Sequence, residues 1–163
     1  MESDEVIRRL DVLRATLDTA GADYEILPHA ITYHSAEDGV AHGVGSLAEM
    51  APTFILRTKR GLIAAIISGA TRMSYKKIKK QLGLRDVSMA DPQTVLEETG
   101  AEVGYVSQIQ PDIDTIVDER LLQTGECYGG CGVPNHTLRI KVDDLVRITG
   151  AEVFDFTEPK SGN

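Results

Sequence analysis

Thr53-Phe-Ile-Leu-Arg-Thr-Lys-Arg-Gly-Leu-Ile-Ala-Ala-Ile-Ile67 reads as two strands joined by a polar turn. Thr53 to Arg57 and Leu62 to Ile67 are short, rich in β-branched and apolar residues, and separated by Thr58 to Gly61, the composition of a hairpin. Ile66 and Ile67 are adjacent and both apolar, so the second strand is expected to be covered on both faces. A sheet with two covered faces needs further layers, and the flanking sequence supplies helices.

Upstream, Val6, Leu10, Leu13 and Leu17 recur at steps of four, three and four, the stripe of a helix that opens near Ser3 or Asp4 and ends before Gly21. Tyr24 to Leu27 reads as a strand broken by Pro28 and His29. Ser35 has the place of an N-cap for a short helix limited by Gly39 and Gly43. Downstream, Ser74 caps a helix through Leu82, and Asp91-Pro92 is an N-cap acid followed by proline at the first helical position, with Gly100 as the stop. Thr115 to Val117 and Thr137 to Lys141 read as strands, Val142 to Ile148 as a helix and Val153 to Phe156 as a closing strand. No repeat or linker interrupts the series. The expectation is one domain over 1–163, with an N-terminal helix within 1–20 and a frayed tail over 157–163. Its class is α+β, a mixed, strongly curved sheet with helices packed outside it.

The chain has 163 residues, 42% hydrophobic and 26% charged, which excludes a disordered chain. Its longest uncharged apolar stretch, Gly61 to Thr71, is too short for a bilayer, where roughly 20 residues are needed. Met1-Glu-Ser-Asp-Glu5 lacks the basic start of a signal peptide, and two cysteines cannot make a disulfide scaffold. A soluble cytoplasmic domain without a membrane partner is expected. The net charge of −8 argues against nucleic acid, and no DNA partner is expected. However, Arg57 to Arg85 holds nine basic residues and no acid, including Lys76, Lys77, Lys79 and Lys80. This island is either a solvated helix face or a local field for phosphates.

The most distinctive motif is Cys127-Tyr-Gly-Gly-Cys-Gly-Val-Pro-Asn-His136, with glycines at 129, 130 and 132 between two expected strands. Such a turn suits either close backbone approach to an oxyanion, carbonyl or phosphate, or a tight loop with no ligand. Cys127, Cys131 and His136 have zinc-compatible spacing but lack a second cysteine pair, so no metal and no cofactor are assigned. Cys127 is expected as a buried small hydrophobe. His34 and His136 stand out from His29 and His42 because each neighbours a polar turn. Gly104-Tyr-Val-Ser107, after an expected strand, is a second place where glycine leaves room and serine offers a ligand contact.

In order and spacing, these segments resemble the YbaK/prolyl-tRNA-synthetase-associated editing domain family, from about Gly21 to Gly150. The carrying pieces are Tyr24-Glu-Ile-Leu, Ser35-Ala-Glu-Asp, the 53–67 hairpin, Ser74-Tyr-Lys-Lys-Ile-Lys-Lys-Gln-Leu-Gly, Asp91-Pro-Gln-Thr-Val-Leu, Gly104-Tyr-Val-Ser, Val117-Asp-Glu-Arg, Tyr128-Gly-Gly and His136-Thr-Leu-Arg-Ile. The resemblance implies a barrel-like sheet and hydrolysis in trans of mischarged aminoacyl-tRNA, usually proline tRNA. It also implies an aminoacyl pocket at Gly104 and Ser107 and at Gly129, Gly130, Gly132 and His136. Cys131, within that loop, and His34 complete the expected substrate-binding set, and some of the lysines at 76, 77, 79 and 80 in the basic island are expected to face the tRNA. The acceptor end of aminoacyl-tRNA, and a synthetase, are the implied partners. One departure stands out. The family's lysine opens the first hairpin strand as Ala-Lys-Thr, whereas this chain reads Ala51-Pro52-Thr53, and Thr32, Tyr33 and His34 compete for the family's threonine. The sequence therefore supports a divergent deacylase, a binding module that has lost catalysis, or, least, a small metal-binding protein.

Overall fold

Ser3 accepts the N–H of Val6 and starts α1 (Asp4–Thr19), whose leucines at 10, 13 and 17 are buried. Each buried leucine contributes roughly 1.5–3 kcal/mol of apolar burial. The computed structural model describes residues 3–30 and 35–160. After α1 come β1 (Tyr24–Pro28), α2 (Ala36–Ala41), a 3-10 turn (Leu47–Glu49), β2 (Thr53–Thr58), β3 (Gly61–Ile66) and β4 (Thr71–Met73). Then follow α3 (Tyr75–Leu82), β5 (Val87–Met89), α4 (Pro92–Thr99), β6 (Asp114–Asp118) and a second 3-10 segment (Glu119–Thr124). β7 (Glu126–Gly129), β8 (His136–Lys141), α5 (Val142–Thr149), β9 (Glu152–Phe154) and β10 (Thr157–Pro159) complete the order.

The α+β class holds, and the expected hairpin is present, Thr58 pairing with Gly61 at its tip. Ile63 to Ile66 of β3 are all buried, as expected of a strand covered on both faces. The barrel does not hold. The strands form three open sheets: β5-β2-β3-β6-β9, β1-β8-β7 and β10-β4. None is closed or strongly curled. The large sheet is mixed, antiparallel across β5-β2-β3 and parallel across β3-β6-β9. The three-stranded sheet meets its lead-in through a bridge between Met50 and Tyr128 and the N–H of Ala51 on the Tyr128 carbonyl at 2.8 Å.

The tail is a second correction. The closing strand stops at Phe154, and Thr157–Pro159 pairs with β4 instead of fraying. The cause is a knot of charge and burial. Phe156 and Thr157 are fully buried, and the Phe156 N–H reaches the buried Asp118 carboxylate at 2.9 Å. Arg120 and Lys77 both reach Asp155, at 2.6 and 3.1 Å. Arg120 holds the Asp155 carboxyl down at about 2, with Lys77 adding to it. The third correction concerns Gly104, which follows no strand: residues 101–113 are loop and turn between α4 and β6.

Candidate functional site

An open cleft of about 520 Å³ lies where the three sheets meet, within the usual range for ligand sites. One wall is the lead-in to β2, residues 51–54. The first turn of α2, the turn after β3 and β4 itself make a second. The third comprises residues 103–106, the end of β7 and the start of β8. Its interior is mainly apolar, through Val44, Met50, Phe54, Ile67, Val106 and Tyr128.

Strand pairing explains why His136 faces this space. β1 and β8 run antiparallel with Pro28 opposite His136, so the residue after β1, His29, is brought beside the residues that open β8. The His29 N–H donates to the Asn135 carbonyl at 2.7 Å, and His29 Nε2 lies 2.6 Å from Thr137 Oγ1. Burial, with His136 and His42 nearby, holds the His29 pKa below its ordinary value. His136 Nδ1 lies 2.8 Å from the Pro134 carbonyl. A carbonyl can only accept, so Nδ1 carries the proton in this contact.

The two glycine-bearing segments lie against each other. The Gln108 N–H donates to the Gly130 carbonyl at 3.1 Å, and the Gly132 N–H donates to the Tyr105 carbonyl at 3.0 Å. A Cβ at Gly130 would lie 2.1 Å from the Val106 carbonyl oxygen, and one at Gly129 would lie 2.3 Å from Gln108 Nε2 and 2.6 Å from the Ala51 carbonyl oxygen. These two glycines therefore serve loop-to-strand packing. The Gly132 N–H, committed to Tyr105, is not an oxyanion donor.

Of the residues singled out in sequence, Gly104, Gly129, Gly130 and His136 line the cleft together. Ser107, Cys131 and Gly132 do not. Ser107 Oγ accepts the Ile109 N–H within its own turn. Cys131 and Cys127 are both buried, and burial pushes each thiol up to about 12, so neither is a thiolate near neutrality. Among the described residues no three His, Cys, Asp or Glu side chains are grouped to hold a metal ion. His34, with Thr32 and Tyr33, lies outside the described residues. Pro52 lines the cleft, and beside it Thr53 Oγ1 is buried without a hydrogen-bond partner among the described residues. Arg57 is turned to Asp91 and Thr94, and Arg139 is held by Asp23, Glu25 and Glu126, so neither places its charge in the cleft.

Sequence reasoning gave no site role to His29, Lys160 or the Tyr128 side chain, and offered Arg72, like Arg139, only as a cation that could reach the Pro52 position from elsewhere; His29, Arg72, Tyr128 and Lys160 all line the cleft. Only His29 had a signal, its place at the end of a strand, and its meaning depends on a pairing with β8 more than 100 positions away. On α3, Lys77 donates to Asp155 and to the Thr157 carbonyl, while Lys76 and Lys80 are exposed and Lys79 half-buried. None of these four lines the cleft. No helix of the described residues is long and apolar enough to cross a membrane.

Comparison with known proteins gives a consistent family. The model of the aminoacyl-tRNA editing domain matches residues 32–148. Proline–tRNA ligase of Thermosipho africanus is 22% identical over 99 residues, which are 60% of this chain and 18% of the ligase. Proline–tRNA ligase of Moorella thermoacetica is 40% identical over 48 residues, 29% of this chain and 8% of the ligase. The chain thus spans less than a fifth of either ligase. Among solved structures, the hypothetical protein APE2540 superposes with a TM-score of 0.83 at 29% identity, covering 90% of this chain and 99% of its own. A candidate trans-editing enzyme for prolyl tRNA synthetase also reaches 0.83, at 22% identity over 97% of this chain and 99% of its own. At that identity the second likeness is one of fold.

Proposed function

This chain belongs to the aminoacyl-tRNA editing domain family, and from that premise we propose that it is a trans-acting deacylase that clears a wrong amino acid from tRNA, of the proline type. The observation that supports this most is the convergence of Gly104, Gly129, Gly130 and His136 on one cleft with an apolar interior. The aminoacyl group lies in that interior, and its ester carbonyl lies against the Gly129–Gly130 backbone. Water adds to the carbonyl carbon, and backbone N–H donors of the loop hold the developing oxyanion. The ester C–O bond then breaks. The acyl group leaves as the free amino acid, and the tRNA hydroxyl oxygen keeps the electron pair and takes up a proton. An ester is activated relative to an amide, so positioning of water and substrate supplies much of the rate. His136 orients the substrate at the loop's polar end. Lys76, Lys79 and Lys80 face the acceptor stem, while Lys77 serves the fold. A synthetase partner belongs to the same reading.

Pro52 in the cleft wall supports a second reading, a binding module without turnover, because proline brings neither a charge nor an N–H donor. A panel of mischarged tRNAs separates the two. Deacylation above the buffer rate for at least one pair, falling about tenfold or more in His136→Ala, is the expected result. Wild-type rates at background throughout, with retained tRNA binding, establish the binding module.

A further inference from the structure

Among the described residues, the lysine and arginine side chains that line the cleft are Arg72 and Lys160. Both ride on the β4–β10 ribbon. Arg72 is directly opposite Glu158, and the Lys160 N–H donates to the Ala70 carbonyl, which continues the same register by one step past Pro159–Thr71. Directly opposed residues share a face of an antiparallel pair, and so do residues two apart on one strand. Arg72, Glu158 and Lys160 therefore stand on one face of the ribbon, with the two cations offset by about 7 Å along it. Arg72 is bridged to Glu158 at 3.6 Å, and Lys160 to Glu37 of α2 at 3.0 Å. All four side chains are well exposed, between 43 and 63%. Exposed pairs of this kind are worth about 1 kcal/mol or less, so a phosphate displaces a carboxylate at little cost.

Resting on the deacylase reading, we propose that the β4–β10 ribbon is a phosphate-binding rim: Arg72 and Lys160 exchange Glu158 and Glu37 for phosphodiester groups of the single-stranded 3′ end of the tRNA, whose aminoacyl ester enters the apolar cleft. The arrangement separates two chemistries that one ligand joins. The ester and its small side chain require a dry, weakly charged interior, and the adjoining nucleotides require cations at the mouth. Guanidinium and ammonium groups are the side chains that hold phosphate best. The rim is distinct from the α3 lysines, which lie outside the cleft. Lys160 also lies beyond the family-matched segment, so the cation comes from a part of the chain that the family pattern does not include.

The test uses the full chain and the mischarged tRNA that the wild type hydrolyses fastest, with KM and kcat measured from low to moderate salt. Arg72→Gln and Lys160→Gln should each raise KM roughly three- to fivefold with kcat unchanged. Each should flatten the log–log salt dependence by about 0.7, the increment for one single-strand phosphate contact. Glu158→Gln and Glu37→Gln should lower KM, and Lys160→Arg should restore it. Lys59→Gln, in the β2–β3 turn, should do neither. A double Arg72→Gln/Lys160→Gln variant with wild-type Tm, KM and salt slope overturns the rim while leaving the deacylase reading intact. If the wild type binds tRNA without hydrolysing it, Kd replaces KM in the same comparison and decides the rim by the same criteria. If it neither binds nor hydrolyses any tRNA, both the reading and the rim fall.

Discussion

Gly130→Ala is the substitution for which the structure predicts the largest effect from the smallest change. The new methyl would lie 2.1 Å from the Val106 carbonyl oxygen, where ordinary contact is 3.4–4 Å. The two backbones must part by more than an ångström. The hydrogen bonds that clasp this place, Gln108 N–H to Gly130 and Gly132 N–H to Tyr105, cannot survive that separation. Two neutral backbone bonds are worth about 1 kcal/mol each, and overpacking a tight site costs about 1–3 kcal/mol, so the loss is about 3–5 kcal/mol. That is a large share of a stability of about 5–15 kcal/mol. For a chain of this size the melting temperature should fall on the order of 10 °C. Gly104→Ala is the matched control. Its φ of +111° strains alanine, but nothing lies within 4 Å of the new atom. It should therefore cost only the backbone strain, about 1–3 kcal/mol. Thermal unfolding by circular dichroism measures both. A Gly130→Ala protein within about 1 kcal/mol of the wild type would refute the close-packing argument and return Gly130 to a purely ligand-facing role.

Three further outcomes follow from groups outside that clasp. Lys76, Lys79 and Lys80 changed together to glutamine should weaken tRNA binding and flatten its salt dependence, whereas Lys77→Gln should lower the melting temperature instead. Equal effects of the two on binding would contradict the separate place of Lys77. Asp155, held down at about 2 by Arg120 and Lys77, contributes stability that is present above its unfolded value and is lost as pH falls through about 2. Because its side chain is 38% exposed, solvent screens the pairs, and Asp155→Asn should cost only about 1 kcal/mol at neutral pH, a cost that shrinks as pH falls towards and below 2. His29 is depressed by burial first and by neighbouring histidines second. The unfolded chain takes up the proton first, so stability is held above about pH 6.5 and declines below it. An NMR titration of the ring should give a midpoint under 6.5, and a midpoint above it would mean that a carboxylate governs the site.

What the sequence made legible was local. The Asp91-Pro92 start of α4 needs only the Asp91 carboxylate and the Thr94 N–H, which meet at 2.9 Å. The 53–67 hairpin needs only its own turn. β4, β5 and β10 were invisible because three-residue strands have no period of their own and exist through partners elsewhere in the chain. The barrel failed for the same reason, since sheet closure depends on which edges meet. The site was half legible. The glycine-rich loop and His136 announced a place, but Gly129 and Gly130 are glycine because Gln108, Ala51 and Val106 press on them. Composition cannot distinguish a glycine that admits a ligand from one that admits another backbone.

The cleft draws its walls from His29 at one extreme and Lys160 at the other, with Pro52, Gly104 and His136 between. No contiguous half of the polypeptide contains it. During synthesis α1 and the 53–67 hairpin can form early, but β3 must wait for β6, and β6 for β9, before the parallel part of the sheet exists. Such long-range pairing is slow to form, and N-terminal segments emerge first. The ribbon that carries Lys160 is completed after every other element that lines the cleft. A ribosome-bound chain stalled before Asp155 should therefore hold native-like helices and an unfinished cleft. A complete cleft should appear in one transition, only after the β4–β10 ribbon closes.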